Sequence, residues 1–303
     1  LNKKNSEEIF EKIDHVIRKN LHQRGMHKIK LPGEIQRAAA ELLKSSTVFI
    51  VTGFCIRDTL TGETDGPIGA IALASALEQL GKKVVLITDN YSKEMLYKCC
   101  LIKNVVAPIE IVPYKNEKKF CDQLFNTYRP SHIVAIERPG RAKDGRCYSM
   151  RGEDISDVVP NTDILFEKAK ELGIITLAVG DGGNEVGMGK VSTFIVDFVK
   201  HGEKICAAIS TDYLIVAGVS NWGGHALTAA LSLLTNTMLL HDIKTEILIL
   251  KSIIEAGGVD GCSKKRELTV DGLSLKENLK ILKKLRTIVE FGIREYKTNK
   301  RVI

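Results

Sequence analysis

The chain is 303 residues long, carries a formal net charge of +7, and is 44% hydrophobic and 27% charged. That length supplies one large α/β domain or two smaller ones with ample core, and the composition is that of an ordinary soluble globular protein. The basic residues are scattered, with small clusters at Lys264-Lys265-Arg266 and from Lys297 to Arg301, so a solvated lysine-rich surface is expected and a nucleic-acid-binding stripe is not.

In chain order, Ile9, Phe10, Ile13, Val16 and Ile17 fall at helical spacing within residues 5–20, and a basic irregular stretch runs to Lys30. Pro32 precedes a second helix, roughly 33–44. These helices, residues 1–45, read as an N-terminal flank, and residues 46–303 as a single α/β domain with its C-terminal helices packed on it. Residues 48–54 form the first strong strand, apolar on both faces as a central parallel strand should be. A polar loop follows, then Pro67 at the first turn of a helix over 67–80 that ends at Gly81. A strand at 83–88 completes a βαβ unit. The pattern repeats, with helices near 92–103, 115–127 and 161–172 and strands at 109–112, 132–136 and 174–179. A strand at 213–218 ends in a loop, Ser220-Asn221-Trp222-Gly223-Gly224-His225, ahead of a helix over 226–234. Helices near 243–256 and 274–292 close the chain. Strands alternating with helices specify a doubly wound, mostly parallel, Rossmann-like sheet with helices on both faces.

The densest functional signal lies at 180–190. A buried strand runs into a loop that holds Gly180, Gly182, Gly183, Gly187 and Gly189, with Asp181, Asn184 and Glu185 between them. A plain turn needs one or two glycines, so a binding or catalytic loop is the stronger reading. Polar or glycine-rich loops also follow the other strands, at 52–66, 137–154 and 220–225. In a parallel sheet these ends share one edge, so the loops are expected to converge on one crevice. It would hold Glu63, Asp65, Glu137, Asp181, Asn184 and Glu185 together with Arg57, Arg138, Arg141 and Arg146. Arginines grip carboxylates in bidentate fashion, and carboxylates hold an ammonium, bind a hard cation or act as acid and base. Both signs together suit a small zwitterionic or multiply charged ligand. Simpler roles compete at several positions. Thr64 or Asp65 can cap the following helix, Glu137 and Arg138 can pair locally, and His225 can cap or pack. There is no P-loop, no GxGxxG spacing, no HExxH, no thiolate zinc set and no GxSxG serine.

Seven cysteines occur without a CxxC, and Cys99 and Cys100 are adjacent, which points to a reducing compartment. No signal peptide opens the chain, its start is mixed in charge, and no apolar run is long enough to span a bilayer. A cytoplasmic protein without a membrane anchor is expected, with the mitochondrial matrix as the alternative if a transit peptide has been trimmed.

Thr52-Gly-Phe54, Gly62-Glu-Thr-Asp-Gly-Pro67-Ile-Gly-Ala70, Glu137-Arg-Pro-Gly-Arg141, the Gly180–Gly189 loop and Ser220-Asn-Trp-Gly223 run in order over roughly residues 45–290. Together they resemble the C-terminal domain family of D-glutamate cyclase, which also occurs as a stand-alone protein. The resemblance implies an α/β domain and a hydro-lyase that converts D-glutamate, or a close relative, to 5-oxo-D-proline and water. It also implies a mitochondrial location for the animal proteins, where another domain precedes this one in a fused enzyme. On that reading Asp181, Glu185 and Glu137 are the catalytic candidates. Arg57, Glu63, Asp65, Arg138, Arg141, Gly182, Gly183, Asn184 and Asn221 would bind substrate, the arginines taking its carboxylates and Glu63 and Asp65 its ammonium. Asp181, Glu185 and Asp65 are the candidate ligands of a divalent cation, Mg or Mn, and amides of the 180–189 loop are expected to stabilise the tetrahedral intermediate. The expected partners are an amino-acid substrate and either a second copy of the chain or a partner domain, and neither nucleic acid nor membrane. The alternatives are a non-catalytic binding module or subunit for a small anionic metabolite and a metal-dependent phosphate-ester hydrolase.

Overall fold

A computed structural model describes residues 3–300. Of the basic cluster at 297–301, Arg301 lies outside the described residues, as do the side chains of Lys297 and Lys300. Helices α1 (Lys3–Ile17) and α2 (Glu34–Lys44) precede strand β1 (Thr47–Thr52), which leads to a short hairpin of β2 (Cys55–Ile56) and β3 (Thr61–Gly62). The chain continues through α3 (Pro67–Gln79), β4 (Lys83–Thr88), α4 (Lys93–Lys103), β5 (Ile109–Ile111), α5 (Glu117–Tyr128), β6 (His132–Ile136), α6 (Asp163–Glu171) and β7 (Ile175–Gly180). Two short helices, α7 (Ser192–Phe198) and α8 (Gly202–Ile205), lead to β8 (Tyr213–Val216), α9 (Ser220–Thr235) and α10 (Ile243–Glu255). A second hairpin, β9 (Thr269–Val270) and β10 (Leu273–Ser274), precedes the long α11 (Leu275–Lys300).

The main sheet has the order β5-β4-β1-β6-β7-β8, and all its pairings are parallel. The chain winds outward from β1 to β5, returns to β6 beside β1, and winds outward again. That reversal between β1 and β6 is the switch point at which doubly wound sheets bind their ligands. Both faces are covered, as the apolar run of β1 anticipates. Val48 and Ile50 enter a core built with α1–α4 and α9–α11, whereas Phe49 and Val51 enter the opposite core with α5 to α8. There Phe49 meets Phe125 edge-on at 5.7 Å, a favoured aromatic geometry. The N-terminal flank belongs to these cores, with Ile13, Ile17 and Leu42 fully buried in the first and Leu21, Met26 and Ile29 buried in the second.

One local expectation is corrected. Residues 220–225 are not a loop but the first turns of α9. Paired glycines read as a break in sequence, yet here Gly223 fits against Val179 of β7 and Gly224 permits close approach of two helices. A Cβ on Gly224 would lie 2.6 Å from Gly69 Cα, and a Cβ on Gly69 would lie 2.9 Å from Asn221 Cα. His225 is consequently a packed helix residue. Its Nε2 lies 3.1 Å from Glu246 Oε1, and His241 Nε2 lies 2.5 Å from Glu246 Oε2. Burial opposes the Glu246 charge, but the two imidazoles hold its carboxyl well below the ordinary range. Burial also holds His241 below its ordinary 6.5.

Gly224→Ala is expected to cost about 1–3 kcal/mol, because backbone and not a side-chain tip must yield; a lower urea midpoint measures it. The Glu246 group has its own signature. A carboxyl with a depressed folded pKa, and a histidine kept neutral by burial, both contribute stability that is lost as pH falls. Glu246→Gln is therefore expected to lower stability at neutral pH by about 1–3 kcal/mol and to flatten the acid limb of stability against pH.

Candidate active site

The carboxyl ends of β1, β6, β7 and β8 meet at the switch point through two helix caps that exchange partners. Asp65, just before α3, accepts from Gly66 N at 2.9 Å and also reaches across to the second helix. Its Oδ1 accepts from Asn221 N at 2.7 Å and its Oδ2 from Ser220 N at 2.8 Å, at the start of α9. Asn221, in the first turn of α9, returns the bond. Its Oδ1 accepts from Gly66 N at 3.0 Å and Gly69 N at 2.8 Å, while its Nδ2 donates to Thr64 O at 3.0 Å. Each cap satisfies helix N–H groups that would otherwise be buried without partners. Asn221, expected to touch substrate, spends its amide on this junction.

A cavity of about 250 Å³ opens above these ends. Its floor carries Glu63, Glu137, Asn184, Glu185 and Asp271, and Asp65 and Asp181 are buried behind them. Glu137 follows β6 with φ +46, a left-handed conformation that is strained for a residue with a side chain, and its Oε2 accepts from Ser220 Oγ at 2.5 Å. Asp181 Oδ1 accepts from Arg24 Nη1, while its buried Oδ2 has no hydrogen-bond partner among the described residues. Arg24 Nη2 lies 2.7 Å from Asp271 Oδ2. Arg57, Arg151 and Lys264 stand at the exposed mouth, Arg57 paired with Asp157 at 3.0 Å and Lys264 paired with Asp58. Phe54, Ile56, Met150 and Ile155 complete the apolar wall.

So many buried carboxyls near one another cannot all ionise without compensation. Burial, with Asp271 and Asp65 as neighbours, raises Glu63 well above its ordinary value. Burial and Asp271 push Asp65 up to about 7. Burial, with Glu185 next, raises Glu137, and burial raises Asp181 despite Arg24. Arg24 itself stays charged, since Asp181 and Asp271 outweigh its burial. Oxygens of Asp65, Glu137 and Asp181 lie within 4.8 Å of one another, a spacing that can hold a hard cation.

Several sequence-derived roles meet a different geometry. Glu185 folds back into its own loop. Its Oε1 accepts from Asp181 N at 3.1 Å and Gly182 N at 2.6 Å, and its Oε2 accepts from Gly183 N at 2.6 Å. The amides expected to cradle an oxyanion are thus committed to Glu185, and the oxygen trio that converges contains Glu137 in its place. Asn184 does line the cavity, with its Nδ2 donating to Tyr148 O at 2.7 Å. The loop is dense with glycine partly for packing, since a Cβ on Gly187 would lie 2.2 Å from Ala178 Cβ. Arg138 is fully buried away from the cavity lining, 2.5 Å from Asp89 and donating to Gly53 O and Thr162 Oγ1. It ties loops together beneath the site. Arg141 also lies off the lining, donating to Gly145 O at 2.7 Å, and Arg146 pairs at the surface with Asp154. Arg57, Glu63, Asp65, Glu137, Asp181, Asn184 and Glu185 are brought together; Arg138, Arg141 and Arg146 are not.

Arg24 and Asp271 went unread. Asp271-Gly272, flanked by Val270 and Leu273 and with φ of 56° and 72°, is a tight-hairpin signal that the sequence does carry. Arg24 carries no such signal, because its partner lies 157 residues away.

Comparison with known proteins bears on this arrangement. Residues 13–286 match the family model described as D-glutamate cyclase-like, C-terminal. The chain is 37% identical over 227 residues to the mitochondrial D-glutamate cyclase of Homo sapiens, a match that covers 70% of this chain and 36% of the human protein. The matched segment thus spans little more than a third of that relative. The chain belongs to the D-glutamate cyclase-like, C-terminal family.

Proposed function

We propose that this chain is a carbon–oxygen lyase that cyclises a D-glutamate-like amino diacid to a five-membered lactam with loss of water. The observation that carries the reading is a single cavity with an acidic floor, one fixed guanidinium beside that floor, and cations at its mouth. A zwitterionic diacid needs that distribution: carboxylates for its ammonium and cations for its two carboxylates. The similarity to a named D-glutamate cyclase supports this reaction over others that such a cavity could serve.

Cyclisation requires the ammonium to lose two protons in all and the departing oxygen to gain two, so that it leaves as water. Glu63 is placed for that exchange. It lines the cavity, is 7% exposed, and burial, with Asp271 and Asp65 beside it, raises its pKa well above the ordinary carboxylate value, which suits a group that exchanges protons with substrate. Gly261 makes room for it, since a Cβ there would lie 1.8 Å from Glu63 Oε2. Asp65, Glu137 and Asp181 would hold a divalent cation, magnesium or manganese, and the unpartnered Asp181 Oδ2 supports that use. Bound there, the cation would supply Lewis acidity to a poor electrophile. Against a simple anion-binding module stands the commitment of the loop amides to Glu185.

Purified protein given D-glutamate is expected to form 5-oxoproline above the uncatalysed rate, read by mass spectrometry, with L-glutamate as the stereochemical comparison. Glu63→Gln is expected to lower kcat about 10²–10⁴-fold at unchanged melting temperature; retained turnover would remove Glu63 from the mechanism. No product from folded wild type would favour a binding subunit that works with another domain. Calorimetric titration with Mn²⁺ is expected to give one site that Asp181→Asn abolishes, and heat unchanged by the substitution would reject the cation site.

A further inference from the structure

The cavity has one guanidinium at its floor, and its carrier is rigid. Arg24 lies on a one-turn 3₁₀ helix, Leu21–Arg24, whose neighbours are locked. Leu21, Met26 and Ile29 are buried. Gly25 has φ +78, and a Cβ there would lie 2.1 Å from Phe198 O. Gly218 N, just past β8, donates to Ile17 O at 2.8 Å. Arg24 is therefore held in place by the fold and is no surface side chain that happens to reach inward.

Its donors are also underused. Among the described residues, the hydrogen bond to Asp181 is the one it makes. The contact with Asp271 is an ion pair at 2.7 Å whose acceptor oxygen, Oδ2, has no aligned donor. Among the described residues Nε has no hydrogen-bond partner, on a side chain that lines the cavity and is 23% accessible. A planar fork with spare donors beside a buried acid cluster is suited to an incoming carboxylate.

Ring geometry decides which carboxylate arrives there. In a five-membered lactam the amine closes on the γ-carboxyl carbon, so these two groups must meet beside the proton-transferring floor. The α-carboxylate is then left to the mouth, where Arg57, Arg151 and Lys264 stand. Resting on the lyase reading above, we infer that Arg24 is a catalytic residue that binds the substrate γ-carboxylate and stabilises the charge on its oxygen as the amine adds. The N–C bond forms and a C–O bond breaks. Of the three ammonium hydrogens, one remains on the lactam nitrogen and two leave with the γ-oxygen as water.

D-glutamine provides the discriminating comparison, because its γ-amide has the same shape and no charge. Dissociation constants of D-glutamate and D-glutamine are measured calorimetrically for wild type, R24Q and R24K, with melting temperatures alongside. R24Q is expected to weaken D-glutamate about tenfold or more while D-glutamine stays within about twofold. R24K, which keeps the charge but loses the fork, is expected to fall between and to lose kcat. Should R24Q fail to fold, the R24K ratio of the two ligands gives the same readout. Equal losses for both ligands, or no loss for either, overturn the inference by making Arg24 a brace between Asp181 and Asp271. Wild type that binds D-glutamate while R24Q behaves that way leaves the lyase reading standing. Wild type that binds neither amino acid overturns the lyase reading and the inference together.

Discussion

The exchange of caps between Asp65 and Asn221 is the constraint on which the site depends. Two helices start at the same point on the sheet edge, and each takes its N-terminal acceptor from the other. Gly69 and Gly224 let the two backbones come within contact distance just beyond that point. A carboxylate at the start of one helix and an amide at the start of the other place two positive helix ends side by side. The acid cluster lies against these ends. Ser220, the first residue of α9, both donates its N–H to Asp65 and its hydroxyl to Glu137. Helix packing and site electrostatics are thus one arrangement seen at two scales.

A cluster of buried carboxyls is costly, and the fold offsets the cost in graded ways. Glu185 receives three backbone donors, Asp65 receives helix N–H groups, and Asp181 receives a guanidinium. Glu63 receives none of these and keeps its raised pKa. Compensation is therefore heaviest at Glu185, which shapes its own loop while lining the cavity, and lightest at Glu63. That gradient distinguishes Glu63 from its neighbours more sharply than proximity alone, since every acid of the cluster is close to another.

The sheet was legible because a central parallel strand has a simple signature. Residues 48–51, 84–87, 133–136 and 177–179 are continuous apolar runs whose alternate side chains enter the two opposite cores, which is what a central parallel strand requires. The convergence of Glu63, Asp65, Glu137 and Asp181 followed from the rule that loops after parallel strands share an edge. What failed did so at the level of side-chain direction. Arg138 and Asp181 each follow a strand by one or two residues, yet one turns under the sheet edge to Asp89 and the other toward the cavity floor. Loop sequence does not encode that turn. The start of α9 was misplaced because glycine weakens a helix locally, and only the positions of α3, against Gly224, and of Val179, against Gly223, show why two glycines are tolerated.

Arg24 marks the deeper limit. Its type, its basic neighbours and its irregular segment all describe a surface residue, and nothing within 20 positions pairs with it among its recorded ion pairs. Its role is created by the chain returning twice, once at the end of β7 and once at the tip of the β9–β10 hairpin. A helical flank added to a complete α/β sheet would be free to vary. This flank is not, because its first helix and the turns after it pack into both cores and deliver the floor's guanidinium. A shortened chain beginning at β1 would retain the strands and most of the acids while losing the charge that opposes them. The boundary drawn at residue 45 from sequence pattern does not divide the cavity, whose lining is assembled from both sides of it.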